Sequence, residues 1–213
     1  MRTWSFAKGH GTANDFVIVK DRHAMLNPTP EDVRYLCDRR LGVGGDGLLR
    51  AVRAVHVPEW TASPNLWFMD YRNADGSLAE LCGNGARVFV RYLIEENLVS
   101  GNTVTIATRA GLVRAVVERD GRIAVGLGTP VRAAKAVTVT AAGRRWRGHR
   151  IDIGNPHCVV RLDGPGLLDD LDLSEPPVLP PADFPDGGNL EFVEPLDAHA
   201  VRMRVWERGV GET

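Results

Sequence analysis

Cysteine is scarce in this chain: three residues, Cys37, Cys82 and Cys158, in 213. They are too few and too irregularly spaced to form a disulfide scaffold. A reducing cytoplasm is therefore the expected setting, and each thiol serves either as a small apolar side chain or for its chemistry. An excess of one charge is equally lacking. A formal net charge of −1 leaves no basic field to attract nucleic acid or an anionic membrane. No stretch approaches the roughly 20 apolar residues of a membrane span, and the opening "MRTWSFAKGHG" has no apolar signal-peptide core. Low-complexity tracts are also missing. What remains is 44% hydrophobic and 25% charged, the make-up of an ordinary globular protein.

Apolar or alternating runs are frequent. They fall at 15–20, 47–52, 65–72, 103–108, 112–118, 122–128, 136–141, 157–162, 190–195 and 200–207, most of them flanked by Gly, Asn, Asp or Pro, and they predict strands. Two helices stand among them. One is predicted over 29–42, with Thr29 as N-cap, Pro30 at the first position, and Arg39, Arg40 and Gly42 at the end. Its apolar face, Val33, Leu36 and Cys37, makes Cys37 a core residue. The other begins near Gly83 and runs to about Glu96, with Val88 and Leu93 facing inward. Many strands and few helices predict an α+β fold with mostly antiparallel pairing rather than a βαβ parallel sheet. Residues 173–189 carry five of the thirteen prolines and predict an extended surface connection with no core of its own.

A faint repeat links the two halves. "GTANDFVIV" (11–19) is similar to "GNPHCVVRL" (154–162), with Asn14 and Asn155 offset by 141. "GVGGDGLLRAV" (42–52) is similar to "PDGGNLEFVEP" (185–195), which sets Gly47 against Asn189. "WFMDYRNADGS" (67–77) is similar to "VRMRVWERGVG" (201–211), which sets Asn73 against Glu207 at an offset of 134. Each match is weak, but all three occur in the same order, as a duplicated domain requires. The expected lobes are 1–120, which carries Cys82, and 121–213. By the same offset a partner for Cys82 falls at about position 216, just after "ERGVGET", so the second lobe is expected to be incomplete.

Cys82 stands before Gly83-Asn84-Gly85 at the mouth of the second helix. Unpaired N–H groups and the positive end of the helix dipole favour a thiolate there. Gly83 lets backbone approach an anion, and Asn84 can hold a polar group. The competing reading is a buried cysteine beside glycines that geometry alone demands. The Lys-Ser/Thr of a nucleotide-binding loop is missing, so the anion is not a nucleotide. Two thiols on opposite faces of one carbon suit stereochemical inversion, one removing a proton and the other supplying it.

The blocks "FAKGHGTANDFVIV", "DRRLGVGGDG", "MDYRNADGSLAELCGNGARVF", "DIGNPHCVV" and "WERGVGET" resemble those of the diaminopimelate epimerase family, in family order and over essentially the whole chain. The resemblance implies two pseudo-symmetric β-rich lobes, each a mostly antiparallel barrel-like sheet around a central helix. It implies epimerisation of a small amino-acid substrate, LL-2,6-diaminopimelate to the meso form, with no cofactor, in a cytoplasmic homodimer that binds neither nucleic acid nor membrane. Cys82 resembles one of two catalytic cysteines, the other following Thr213. His157 and Glu207 resemble the residues that tune those thiols. Asn14, Asn73, Gly83, Asn84, Asn155, Asn189, Glu207 and Arg208 resemble the substrate-binding set, in which a guanidinium fork suits a planar carboxylate. Taken without the resemblance, His157 reads as a structural histidine on a strand. Some family members carry Gln where this chain has Gly47. Two other readings stay open: a different amino-acid racemase or epimerase of the same fold, and a non-catalytic amino-acid-binding form. A metal site of Cys82, His157 and Cys158 lacks ligand spacing.

Overall fold

The computed structural model describes residues 3–164 and 166–213. It divides into two compact units, Met1–Leu127 and Gly128–Thr213. The first holds β1 (Phe6–Gly11), β2 (Asn14–Lys20), α1 (Pro30–Cys37), β3 (Gly47–Arg53), β4 (Trp67–Asn73), α2 (Gly83–Glu95), β5 (Thr103–Thr108), β6 (Gly111–Val117) and β7 (Ile123–Gly126). Its seven strands form one sheet in chain order.

That sheet curls around α2, which touches β1, β2, β3, β4, β6 and β7. The helix is amphipathic, and Phe89, Val90 and Leu93 have no exposed surface. Burial of each such side chain stabilises the fold by about 1.5–3 kcal/mol. Phe16, Leu49 and Met69 of the sheet close the same core. On the sheet's other face a smaller cluster joins Val17, Val19 and Leu48 to Val33 and Cys37 of α1.

The helix predicted over 29–42 stops at Cys37. Its start is as expected: the Thr29 side chain accepts from Asp32 N, and the Asp32 carboxylate accepts from Thr29 N at 2.9 Å. At its end Asp38 turns extended, and its carboxylate accepts from Arg40 N and Leu41 N at 2.7 and 2.8 Å. A side chain that captures nearby N–H groups competes with the helix ladder. Gly42 is therefore no helix cap. Any Cβ there would lie 1.8 Å from Tyr35 O, so the returning chain needs glycine at that point.

The second unit holds β8 (Val131–Ala141), β9 (Arg144–Asp152), β10 (Pro156–Arg161), β11 (Asn189–Pro195), β12 (Val201–Glu207) and β13 (Gly211–Glu212), in one sheet ordered β13-β12-β11-β10-β9-β8. No α-helix falls among its described residues.

Pairing is mostly antiparallel, but β2–β3, β4–β5 and β10–β11 run parallel. Parallel neighbours need a crossover connection, and both helices serve as one. In the second unit the proline-rich segment takes that part, which corrects the expectation of a surface connection without a core. Leu173 and Phe184 are 2% and 3% exposed and join Leu168, Leu171, Cys158 and Leu190 in the core, while Val178 and Thr140 exchange backbone hydrogen bonds. β1 ("FAKGHG") and β9 ("RRWRGHRID") were not legible as strands, because glycine and arginine break their alternation. β1 forms by pairing with β2, and β9 by pairing with β8 on one side and β10 on the other.

The repeat reappears as strand register. Phe16 pairs with Gly47 across β2–β3, and His157 pairs with Asn189 across β10–β11. Each parallel pair is flanked by an antiparallel strand on either side, β1 and β4 in one unit, β9 and β12 in the other. The core positions Val17 and Leu48 thus correspond to Cys158 and Leu190, and the proline-rich crossover covers them as α1 does.

Candidate active site

Cys82 is the N-cap of α2 and is half-buried. Its Sγ accepts from Gly85 N at 3.3 Å and lies 3.6 Å from Asn14 Oδ1, to which the S–H can donate. One ligand set thus serves both states of the sulfur: an amide N–H for the thiolate and an amide oxygen for the thiol. Asn84 Nδ2 donates to the same Asn14 Oδ1 at 3.5 Å.

Asn14 is buried and fixed from behind. Its Nδ2 donates to Asp46 Oδ2 at 2.8 Å, and Asp15 N donates to the same oxygen at 3.0 Å. Arg39 bridges Asp46 and Asp15 at 2.8 and 2.7 Å, and Lys8 adds an ion pair to Asp15 at 2.7 Å. Arg39, with help from Lys8, holds the Asp15 carboxyl well below the usual carboxylate range. Arg39 left the helix when Asp38 ended it, and that exit brings the guanidinium to these carboxylates. Asp15 and Asp46 were not singled out in the sequence, and Arg39 was read there only as a helix-end residue. The block "DRRLGVGGDG", with charges crowded among glycines, was the available signal.

The β1–β2 hairpin delivers Asn14. Gly11 pairs with Asn14, and Thr12 and Ala13 between them sit at φ 54° and 67°. Such a two-residue turn favours Asn-Gly; a Cβ in the left-handed region costs about 1–2 kcal/mol per residue. Side-chain bonds brace it: Arg87 Nη2 donates to Thr12 Oγ1 at 3.2 Å and also reaches Asn84 Oδ1.

The other thiols are unsuited to chemistry. Burial pushes Cys37 up to about 11. Burial, together with the negative charge of Glu191, pushes Cys158 up to about 12. Asn73 ends β4 beside Gly47, and its Nδ2 donates to Ser77 Oγ at 3.0 Å, closing the 73–77 turn. Gly47 cannot be replaced without movement, since a Cβ would meet Arg72 O at 2.6 Å and Tyr71 Cε2 at 2.7 Å.

The second unit gathers the remaining residues in two groups. His157 Nδ1 lies 2.5 Å from Glu191 Oε1, and its Nε2 lies 2.9 Å from Asn155 Oδ1. Asn189 Oδ1 accepts from Arg208 N at 2.9 Å, and Arg208 Nη1 donates to Asp186 O at 3.2 Å. Glu207 ends β12, paired in register with Gly211. Glu191 was missed in the sequence, although a single acid inside the apolar run "LEFV" was a usable sign. Cys158 and His157 occupy opposite faces of β10, as their adjacency predicted.

The class is defined by its fold, a half-barrel sheet wrapped on a helix whose N-cap is a half-buried thiol, and that fold is shared with a solved racemase-type structure. A probable proline racemase from Agrobacterium radiobacter aligns with a TM-score of 0.65 at 15% identity, covering 99% of this chain and 72% of that one. Sequence narrows the class further. The diaminopimelate epimerase family model matches residues 6–133. Diaminopimelate epimerase of Corynebacterium glutamicum is 46% identical over 99% of this chain and 78% of its own length. The enzyme of Thermobifida fusca is 47% identical over 98% of this chain and 77% of its own length. The chain belongs to the diaminopimelate epimerase family. No helix among the described residues is long and apolar enough to cross a membrane.

Proposed function

We propose that this protein epimerises LL-2,6-diaminopimelate to meso-diaminopimelate, in lysine and peptidoglycan biosynthesis, by cofactor-independent acid–base chemistry with Cys82 as one of the two proton carriers. The observation that carries this reading is the setting of Cys82: half-exposed, at a helix mouth, with a donor and an acceptor both aimed at its sulfur. As thiolate, Cys82 takes the α-proton and becomes a thiol, leaving the electron pair on the α-carbon and its carboxylate. The N–H groups of Gly83 and Asn84, in the first turn of α2, suit that developing negative charge. A second acid returns a proton to the opposite face, and its conjugate base serves the reverse direction.

Asn14, Asn73, Asn155 and Asn189 are assigned to the substrate's amino and carboxylate groups, and Arg208 to a carboxylate as a planar fork. Glu207 is assigned to the ammonium group, and with His157 to the tuning of the acid–base groups. The scarcity and irregular spacing of cysteine support a reducing cytoplasm as the setting. The homodimer rests on the family resemblance.

Turnover in heavy water tests the reaction. Inversion should incorporate one solvent deuteron at the inverted carbon, and Cys82→Ala should slow it at least ~1,000-fold with the fold intact. Near-normal turnover by Cys82→Ala would remove Cys82 from the mechanism. A failure to act on diaminopimelate, with activity on another amino acid, would shift the substrate within the racemase fold.

A further inference from the structure

In the first unit, the face of the sheet beneath α2 is apolar, and its register is repeated in the second. Phe16 and Leu49 stand at the positions that His157 and Glu191 occupy. Leu49 lies directly under the first turn of α2: a Cβ placed on Gly85 would be 3.4 Å from Leu49 Cδ2 and 3.5 Å from Cys82 Sγ. The place that underlies the reactive thiol in one unit is thus filled by a hydrogen-bonded His–Glu pair in the other.

Glu191 is 7% exposed, and its Oε2 has no hydrogen-bond partner among the described residues. Its neighbours across the sheet are Val159 on β10 and Val205 on β12, and those of His157 are Ile151 on β9 and Asn189 on β11. Further along the same face stand His149, which contacts Arg132, and Glu207. Among the described residues, the hydrogen bond of the Glu191 carboxylate goes to His157. A buried carboxylate that is only half satisfied is a poor exchange for leucine on stability grounds alone.

We propose that Glu191 is a positioning residue: its carboxylate accepts from His157 Nδ1–H, fixing the tautomer and ring orientation and holding Nε2 beside Asn155 for the tuning role assigned to His157. The hydrogen bond made by one ring nitrogen decides the role of the other. The two amide atoms of Asn155 exchange places by a flip of the side chain, so Asn155 can donate to an Nε2 lone pair or accept from Nε2–H. The same pocket then holds the ring before and after a proton passes. This assignment rests on the proposed acid–base chemistry for its consequence, but not for its geometry.

The test has two readouts. Long-range proton–nitrogen correlation spectra of the intact ¹⁵N-labelled protein, with His157→Phe used to assign the ring, report which nitrogen carries the proton. The wild type should show a protonated Nδ1. Glu191→Leu, the residue found at the equivalent position of the first unit, should lose that preference, with kcat reduced at least ~10-fold and KM within about 2-fold. Glu191→Gln keeps an acceptor for Nδ1–H, so it should retain the tautomer and most of kcat. An Nε2–H tautomer in the wild type overturns the proposal whether or not any variant folds. So does an unchanged tautomer in Glu191→Leu, an unchanged kcat, or a loss confined to KM. A wild type without diaminopimelate turnover counts against the proposed reaction alone, because the spectrum reads the ring without substrate.

Discussion

A small neutral disulfide reagent such as dithiodipyridine should modify one cysteine of the native protein, and that residue should be Cys82. The reactive species is the thiolate. At pH 8 a free cysteine with a pKa of about 8.5 is roughly one-quarter thiolate. Cys37, raised to about 11, is thiolate to about one part in a thousand, and Cys158, raised to about 12, to about one part in ten thousand. Ionisation alone thus slows them by about 200-fold and 2,000-fold relative to a free cysteine. A more basic thiolate is also a better nucleophile, and a Brønsted slope of about 0.4–0.5 recovers roughly 10-fold for Cys37 and 40-fold for Cys158. The net disadvantage is about 20-fold and 50-fold, before access is considered. Access widens it, since Cys37 is 4% exposed and Cys158 has no exposed surface, so both wait for local opening. Peptide mass mapping after graded exposure would show one label at Cys82, and bound diaminopimelate should slow its appearance. A label arriving first at Cys37 or Cys158 would refute the reasoning about burial. Labelling of Cys82 at a rate indifferent to substrate would refute its place in the site.

Three further outcomes are expected. Asp46→Ala removes the acceptor that fixes Asn14 and one partner of Arg39, so kcat/KM should fall about 10-fold while the thermal midpoint moves little; unchanged kinetics would leave Asn14 without need of its support. Asp70 is 2% exposed and accepts from Arg109, Arg50 and Arg72 at 2.7, 3.1 and 3.2 Å. Burial by itself would raise its carboxyl, but Arg109 and Arg72 bring it below the ordinary value. Asp70→Asn leaves buried guanidinium groups short of a counter-charge and should destabilise by about 3 kcal/mol at pH 7. A depressed carboxyl stabilises above its unfolded value of about 3.9 and loses that contribution as pH falls toward the folded value. The gap between wild type and Asp70→Asn in urea denaturation should therefore shrink below about pH 4, and a gap that widens there contradicts the sign. Gly47→Ala should lower stability by about 1–3 kcal/mol, because the added methyl meets Arg72 O and the Tyr71 ring; a neutral effect would mean that β4 can shift.

Much of this protein was determined by the sequence alone, wherever the deciding interactions are local. Alternation of apolar residues placed ten strands, and the Thr29 N-cap with Pro30 and Gly83-Asn84-Gly85 placed both helix starts. The family blocks identified the chemistry, and the repeat "GTANDFVIV"/"GNPHCVVRL" anticipated a register that the two sheets share. Tertiary structure alone decided the rest. The sheet made strands of β1 and β9, whose own patterns are poor, because hydrogen bonds to a neighbour outweigh weak propensity. It drew Leu173 and Phe184 from the proline-rich segment into a core that composition did not suggest. It also set Arg39 on Asp15 and Asp46, and Glu191 on His157, pairs separated by 24, 7 and 34 residues. Caps, turns and alternation are set within a few residues of chain. The partner of a buried charge depends on which distant strands lie side by side, and one residue of register decides which face it meets.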